Sequence, residues 1–160
     1  GHIFYFGDKY SKPLKANVDL HGGKKVSVKM GSYGIGVSRL VAAIIEAKFN
    51  NNIMKWPISV SPYEVAIIPM ISKNDNANLK KSEKIYKELN KHNISVLLDD
   101  TDENISAKIK KFNLIGIPYQ VIIGQKSEGS LFEFKEIDKD SQNLSIDKIV
   151  QKLIKAKNSN

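Results

Sequence analysis

Lys29-Met30-Gly31-Ser32-Tyr33-Gly34-Ile35-Gly36-Val37-Ser38-Arg39-Leu40-Val41-Ala42-Ala43-Ile44-Ile45-Glu46 is the stretch on which the reading of this chain turns. Arg39 is the single arginine of the protein, and every other basic position is lysine. A lone guanidinium just after two closely spaced glycines suggests a need for a planar, forked donor. That is the geometry of a bidentate phosphate or carboxylate clamp, which a lysine's point charge cannot reproduce. Gly34 and Gly36 can take backbone angles closed to other residues and let a ligand approach the main chain. The apolar residues Val37, Leu40, Val41, Ile44 and Ile45 then recur at helical spacing, so a helix begins near Val37, points its first amides at the same place and packs one face on a sheet. The local chemistry reads as a nucleotide phosphate site. The plainer alternative is a tight turn feeding a buried helix. The tract is neither a dinucleotide fingerprint, since Arg39 replaces the third glycine, nor a Walker A loop.

Upstream of this stretch, Gly1 to Gly7 alternates like a strand and begins with no turn or cap before it, so the chain is expected to start inside a domain. Residues 8 to 16 read as a turn or short helix limited by Pro13. Asn17 to Leu20 and Lys25 to Met30 read as two strands of a hairpin joined at His21-Gly22-Gly23. Downstream, Asn50-Asn51-Asn52 ends the helix, and residues 50 to 62, with Pro57 and Pro62, read as a linker. After Pro57 the pattern is strand Glu64 to Ile71, helix Ala77 to Lys91, strand Ile94 to Leu98, short helix Ile105 to Phe112, strand Tyr119 to Gly124, strand Leu131 to Ile137 and helix Ile146 to Lys155, with a frayed tail beyond. Alternating strands and helices with one strand-to-strand connection imply an α/β fold with a mixed sheet flanked by helices.

Composition bounds the function. The chain has 160 residues, 41% of them hydrophobic and 26% charged, enough for one ordinary core or two small ones. With no cysteine, disulfides and Cys-ligated zinc are excluded, and three scattered histidines, of which His21 and His92 sit in polar turns, argue against a protein-built metal site. No apolar run is long enough to span a bilayer, so a cytoplasmic protein with no membrane partner is expected. The net charge of +8 suggests nucleic acid but is unevenly placed. Residues 1 to 56 carry nine Lys/Arg against three Asp/Glu, net +6, and residues 57 to 160 carry sixteen against fourteen, net +2. An RNA-binding surface in the second part must therefore be a local patch.

Two features of the second part are candidates for it. Lys80, Lys81, Lys84, Lys87 and Lys91 fall on a common side of the helix from Ala77; such a run is more often a solvated face than a phosphate track. Asp99-Asp100-Thr101-Asp102-Glu103 is followed by Lys108, Lys110 and Lys111. Part of this acid cluster suits a helix cap, but four acids in five residues exceed what one cap needs. The functional alternative is a carboxylate, Glu103 first and Asp102 second, accepting two hydrogen bonds from the Watson-Crick edge of an unstacked guanine, with Lys108 on a backbone phosphate.

The run Met30 to Glu46 resembles motif 3 of class II aminoacyl-tRNA synthetases, in the form carried by bacterial prolyl-tRNA synthetases. Gly1-His2-Ile3-Phe4, Gly7-Asp8-Lys9-Tyr10-Ser11, Trp56-Pro57 with Ser61-Pro62-Tyr63, and Leu114-Ile115-Gly116-Ile117-Pro118 follow in that family's order and spacing. The resemblance implies that residues 1–56 are the C-terminal piece of an antiparallel-sheet class II catalytic domain. Residues 57–160 would be an anticodon-binding domain with a mixed five-stranded sheet. It further implies proline-tRNA ligase activity in the full-length enzyme, with the fragment alone inactive because motifs 1 and 2 lie upstream. Arg39 is then catalytic, contacting the γ-phosphate of ATP. Gly34 and Gly36 shape the adenine and ribose floor, and His2 and Ser32 line the proline pocket, Ser32 standing where many members have cysteine. Mg²⁺ enters bound to ATP, the partners are tRNA(Pro), ATP and proline, and a homodimer forms through regions absent here. Proline anticodons carry guanine at two positions, which agrees with Asp102 and Glu103 as base readers and Lys108 beside them. The chain departs from the family at Thr101 and Asn104, often arginine, and at Asn113, often an acid. The rival readings are a catalytically silent tRNA- or RNA-binding module or paralogue, and another class II synthetase such as the threonyl enzyme.

Overall fold

A computed structural model describes residues 1–71, 76–124 and 130–159. The chain divides into two compact units, Gly1–Ala43 and Ile44–Asn160. In the first, β1 (His2–Gly7) pairs antiparallel with β4 (Met30–Gly34), and between them β2 (Asn17–Asp19) and β3 (Lys25–Ser27) form the expected hairpin over His21-Gly22-Gly23. Residues 8 to 16 are turns, closed by a hydrogen bond from the buried Ser11 hydroxyl to the Val28 carbonyl (2.6 Å). The helix α1 (Val37–Lys48) begins where its periodicity places it, with Gly36 supplying the carbonyl that accepts the first intrahelical bond, from Leu40 (3.0 Å).

The expectation that α1 packs a face on a sheet is not met. None of its residues is buried, and Leu40, Val41 and Ile45 stay exposed. The first unit offers only two two-stranded ladders, and such ribbons present too little apolar area to cover a helix face.

The second unit is a five-stranded sheet in the order β11-β10-β9-β7-β8, built from β7 (Val65–Pro69), β8 (Val96–Leu98), β9 (Tyr119–Ile123), β10 (Leu131–Glu136) and β11 (Gln142–Ser145). β7 runs parallel to both β8 and β9, while β9, β10 and β11 pair antiparallel, so the sheet is mixed as expected. β7 is apolar at every position because both its faces are covered. Val65 and Ile67 face one core with Ile85 and Leu89 of α2 (Ala77–Lys91) and Ile149, Val150 and Leu153 of α4 (Ile146–Asn158). Ala66 and Ile68 face the other, with Phe112 of α3 (Ile105–Ile115) and Ile117. The layers are therefore α2 and α4 on one side of the sheet and α3 on the other. α4 continues through Asn158, so the tail expected to fray from Lys155 is helical that far.

Residues 50–62 are also more ordered than a linker. Phe49–Asn50 (β5) and Ile53–Met54 (β6) pair around Asn51 and Asn52, both at positive φ (48° and 60°), the twist a two-residue hairpin turn requires and asparagine tolerates. Met54 is buried against the left-handed C-cap of α3, Gly116 (φ 86°), where an added Cβ would stand 2.8 Å from the Met54 carbonyl oxygen. The Trp56 amide donates to the Gly116 carbonyl (3.1 Å) and its indole Nε1 to the Ile115 carbonyl (2.9 Å). Lys55 completes the anchorage, its ammonium 2.6 Å from Glu136 and 2.8 Å from Asp138.

Candidate functional site

The residues expected to serve a nucleotide and an amino acid all lie in the first unit. In the β1–β4 ladder His2 stands opposite Gly34, and Ser32 stands opposite Phe4. Side chains alternate across a strand, so His2, Phe4, Ser32 and Gly34 share one face. The His2 ring stacks on Phe4 with centroids 5.9 Å apart. An open cavity of about 600 Å³ is lined by His2, Gly34 and Ile35 among others; Ser32, Gly36 and Arg39 are not in its wall. Arg39 occupies the first turn of α1. A methyl group placed on Gly36 would stand 3.4 Å from its Cβ, so the glycine and the arginine form one corner of the chain. Arg39 is exposed and has no ion-pair partner among the described residues, leaving its five donors available.

The acid cluster lies in the second unit, between the C-terminal end of β8 and the start of α3. Its members differ in kind. The Asp99 side chain is 3% exposed and is 2.8 Å from Lys111 and 3.5 Å from Lys108; its Oδ1 also accepts the Thr101 amide (3.0 Å). Burial alone would raise this carboxyl. The hydrogen bonds from Lys111 and Thr101 and the Lys108 charge outweigh it and hold the group down to about 2. The helix cap is not one of the acids but Asn104, whose Oδ1 accepts the Ala107 amide (2.8 Å). Asp102 and Glu103 are therefore left facing solvent without a capping duty. Glu103 shares Lys111 with Asp99, at 3.1 Å, an exposed contact that costs little to exchange for another donor. Asp102 has no ion pair among the described residues.

Lys108 requires a correction. It is wholly buried, and its ammonium donates to the Pro69 carbonyl (3.1 Å) at the end of β7 and to the Asp99 carbonyl (3.3 Å) beyond β8. A buried ammonium needs such partners to offset lost hydration, so Lys108 ties α3 to the ends of two parallel strands and has no surface to offer a phosphate. Sequence could have shown this, because Lys108 falls at the core-facing position of the Ile105, Ile109, Phe112 pattern. Lys110, which points outward, is the lysine of that row open to solvent. Asn113 is likewise occupied, accepting from the buried Gln120 amide (3.0 Å). Among the described residues no group of three or more His, Asp or Glu is placed to hold a metal, and no helix is long and apolar enough to cross a membrane.

The lowered Asp99 carboxyl has a measurable consequence. A group whose folded pKa is depressed contributes stability above its unfolded pKa and loses it as pH falls through the folded value. With an ordinary value of 3.8 and a folded value of about 2, that window lies between roughly pH 5 and pH 2. Across it the parental protein should lose about 2 kcal/mol more than an Asp99→Asn variant, read from urea midpoints at several pH values. Parallel pH profiles for the two proteins would show that Asp99 is not held ionised by its neighbours.

Residues 64–156 match the anticodon binding domain family. Across the whole chain the sequence is 64% identical to a proline-tRNA ligase of Pelagibacter ubique, over 36% of that protein's length. Over 79% of the chain it is 50% identical to the proline-tRNA ligase of a Wolbachia from Drosophila simulans, covering 29% of it. Over 84% of the chain it is 47% identical to that of Rickettsia canadensis, covering 31%. The chain spans about a third of the length of the curated relatives it matches. The matched stretch is more than half of the sequence, and it takes in the five-stranded sheet, the helix α3 with its buried Lys108, and the loop before it with the outward-facing Asp102 and Glu103: the chain belongs to the anticodon-binding domain family.

Proposed function

We propose that the chain is part of a proline-tRNA ligase. Residues 1–56 close a class II catalytic domain with motif 3, and residues 57–160 form the anticodon-binding domain. The observation that carries this reading is the 64% identity, over the full length of the chain, to a protein named for that activity. In the complete enzyme proline's carboxylate displaces pyrophosphate from ATP, and the activated proline then passes to tRNA(Pro). Arg39 meets the γ-phosphate, where its fork neutralises charge as pyrophosphate departs. Gly34 and Gly36 let the nucleotide approach the backbone, and the face shared by His2 and Ser32 takes proline. Mg²⁺ arrives with ATP. The enzyme works in the cytoplasm as a homodimer whose interface lies outside this chain.

Anticodon reading falls to Glu103, with Asp102 second, because only a carboxylate offers two acceptors to the paired N1 and N2 donors of guanine. Lys110, rather than the buried Lys108, supplies the neighbouring phosphate contact. The test is a double-mutant cycle in binding, Glu103→Gln and Asp102→Asn against replacement of the anticodon guanines. Glu103→Gln should weaken cognate tRNA by about 1–3 kcal/mol, the size of a bidentate base contact, and barely affect a tRNA already lacking those guanines. If both acid substitutions add independently to the guanine replacements, neither residue reads the anticodon.

A further inference from the structure

The exposed side of α2 is a basic surface of the second unit. The helix holds five lysines and two glutamates, whereas residues 57–160 outside it carry eleven lysines against twelve acids. Lys80, Lys84, Lys87 and Lys91 are all exposed and recur at a spacing that aligns them along one stripe. Lys91 is paired with Glu88 at 2.8 Å. Lys80, Lys84 and Lys87 have no acidic partner among the described residues, although Glu83 lies on the same helix. An isolated stripe of this kind would be a solvated face. Here a second feature adjoins it: a groove of about 290 Å³ between α2, β10 and the start of α4, floored by Ile85, Phe132 and Ile146 and rimmed by Lys84. A cavity of 150 Å³ already admits a benzene ring, so this groove has room for a nucleobase. Two carboxylates share that rim: Glu88, which is offset by Lys91 and lies 3.7 Å from His92, and Asp147, while Lys81 and Lys84 line the same groove.

We propose that this side of α2 and the groove beside it form a second RNA-contact surface. Lys80, Lys84 and Lys87 hold the sugar-phosphate backbone, and one unstacked base lies against Phe132. The combination is that of single-strand binders, a basic track with an aromatic platform, and it reads no sequence. It lies on the face of the sheet opposite α3, and so is distinct from the Asp102 and Glu103 edge. The inference rests on the RNA-binding reading of the chain but not on anticodon discrimination.

The test uses the full chain and a labelled eight-nucleotide oligouridylate, which contains no guanine, with fluorescence anisotropy at several salt concentrations. Changing Lys80, Lys84 and Lys87 together to Gln should weaken binding and flatten the plot of log Kd against log salt by about two, the value for three neutralised phosphates on a single strand. Phe132→Leu keeps the groove apolar but removes the ring, and should weaken the oligouridylate about fivefold or more. The oligouridylate carries no guanine, so the two readings fail separately: acid substitutions that add independently to the anticodon-guanine replacements, with oligouridylate binding intact, overturn the anticodon reading alone. Parental affinity and slope in the triple variant would return α2 to a solvated face. An unchanged Phe132→Leu variant, together with equally tight binding of polyglutamate, would make the surface a general polyanion site and overturn the assignment.

Discussion

An Arg39→Lys variant of the full-length protein is expected to fold normally yet lose roughly 10² to 10³ in kcat/KM for ATP-dependent activation of proline. The expectation follows from the corner that Gly36 and Arg39 build at the head of α1, where a guanidinium with no ion-pair partner among the described residues is exposed at a helix N-terminus. An ammonium preserves the charge but gives one compact centre in place of a planar fork, so it cannot hold two phosphate oxygens in fixed orientation. The measurement is proline-dependent exchange of pyrophosphate into ATP, with thermal unfolding recorded on the same samples. Exchange at the parental rate would make Arg39 a structural residue and leave the glycines as an ordinary turn.

The largest effect on stability is expected at Lys108. Lys108→Ala removes the donor shared by the Pro69 and Asp99 carbonyls and takes a cation from beside the buried Asp99 carboxylate. Breaking a buried pair from one side costs about 3 kcal/mol or more, because the remaining groups stay dehydrated without their partner. The neighbouring Lys110→Ala, at an exposed position, should fall within about 0.5 kcal/mol of the parent. Chemical denaturation of the two variants decides the matter. Lys108→Ala should also leave the salt dependence of tRNA binding unchanged at temperatures where it remains folded. Equal stability of the Lys108 and Lys110 variants would refute the burial account.

Much of this architecture was legible in the sequence because periodicity and local chemistry agreed. The helix from Ala77 to Lys91 and the run of apolar residues in β7 are cases in which pattern and packing point the same way. The misses have particular causes. β11, Gln142-Asn-Leu-Ser145, carries little intrinsic strand preference and is a strand because β10 offers it a pairing edge, a fact no local window contains. Asn50-Asn51-Asn52 follows the end of α1 at Lys48 as its composition predicts, but the two positive φ angles at Asn51 and Asn52 make it the tip of a hairpin and not a linker. Charge alone groups Lys108 with Lys110 and Lys111, but its spacing from Ile105 and Phe112 puts it inside. The candidate residues of the first unit could be named by motif, but the sharing of one face by His2, Ser32 and Gly34 emerges only from the strand register.

Trp56 is the protein's one tryptophan, and its indole is hydrogen-bonded to a carbonyl in the last turn of the same helix whose first turn follows Asp102 and Glu103. The molecule therefore carries an intrinsic fluorophore at the far end of the α3 rod, about 16 Å from the acids at a rise of about 1.5 Å per residue. Its emission reports, without any added label, on the surroundings of that helix end, where Met54 packs on Gly116.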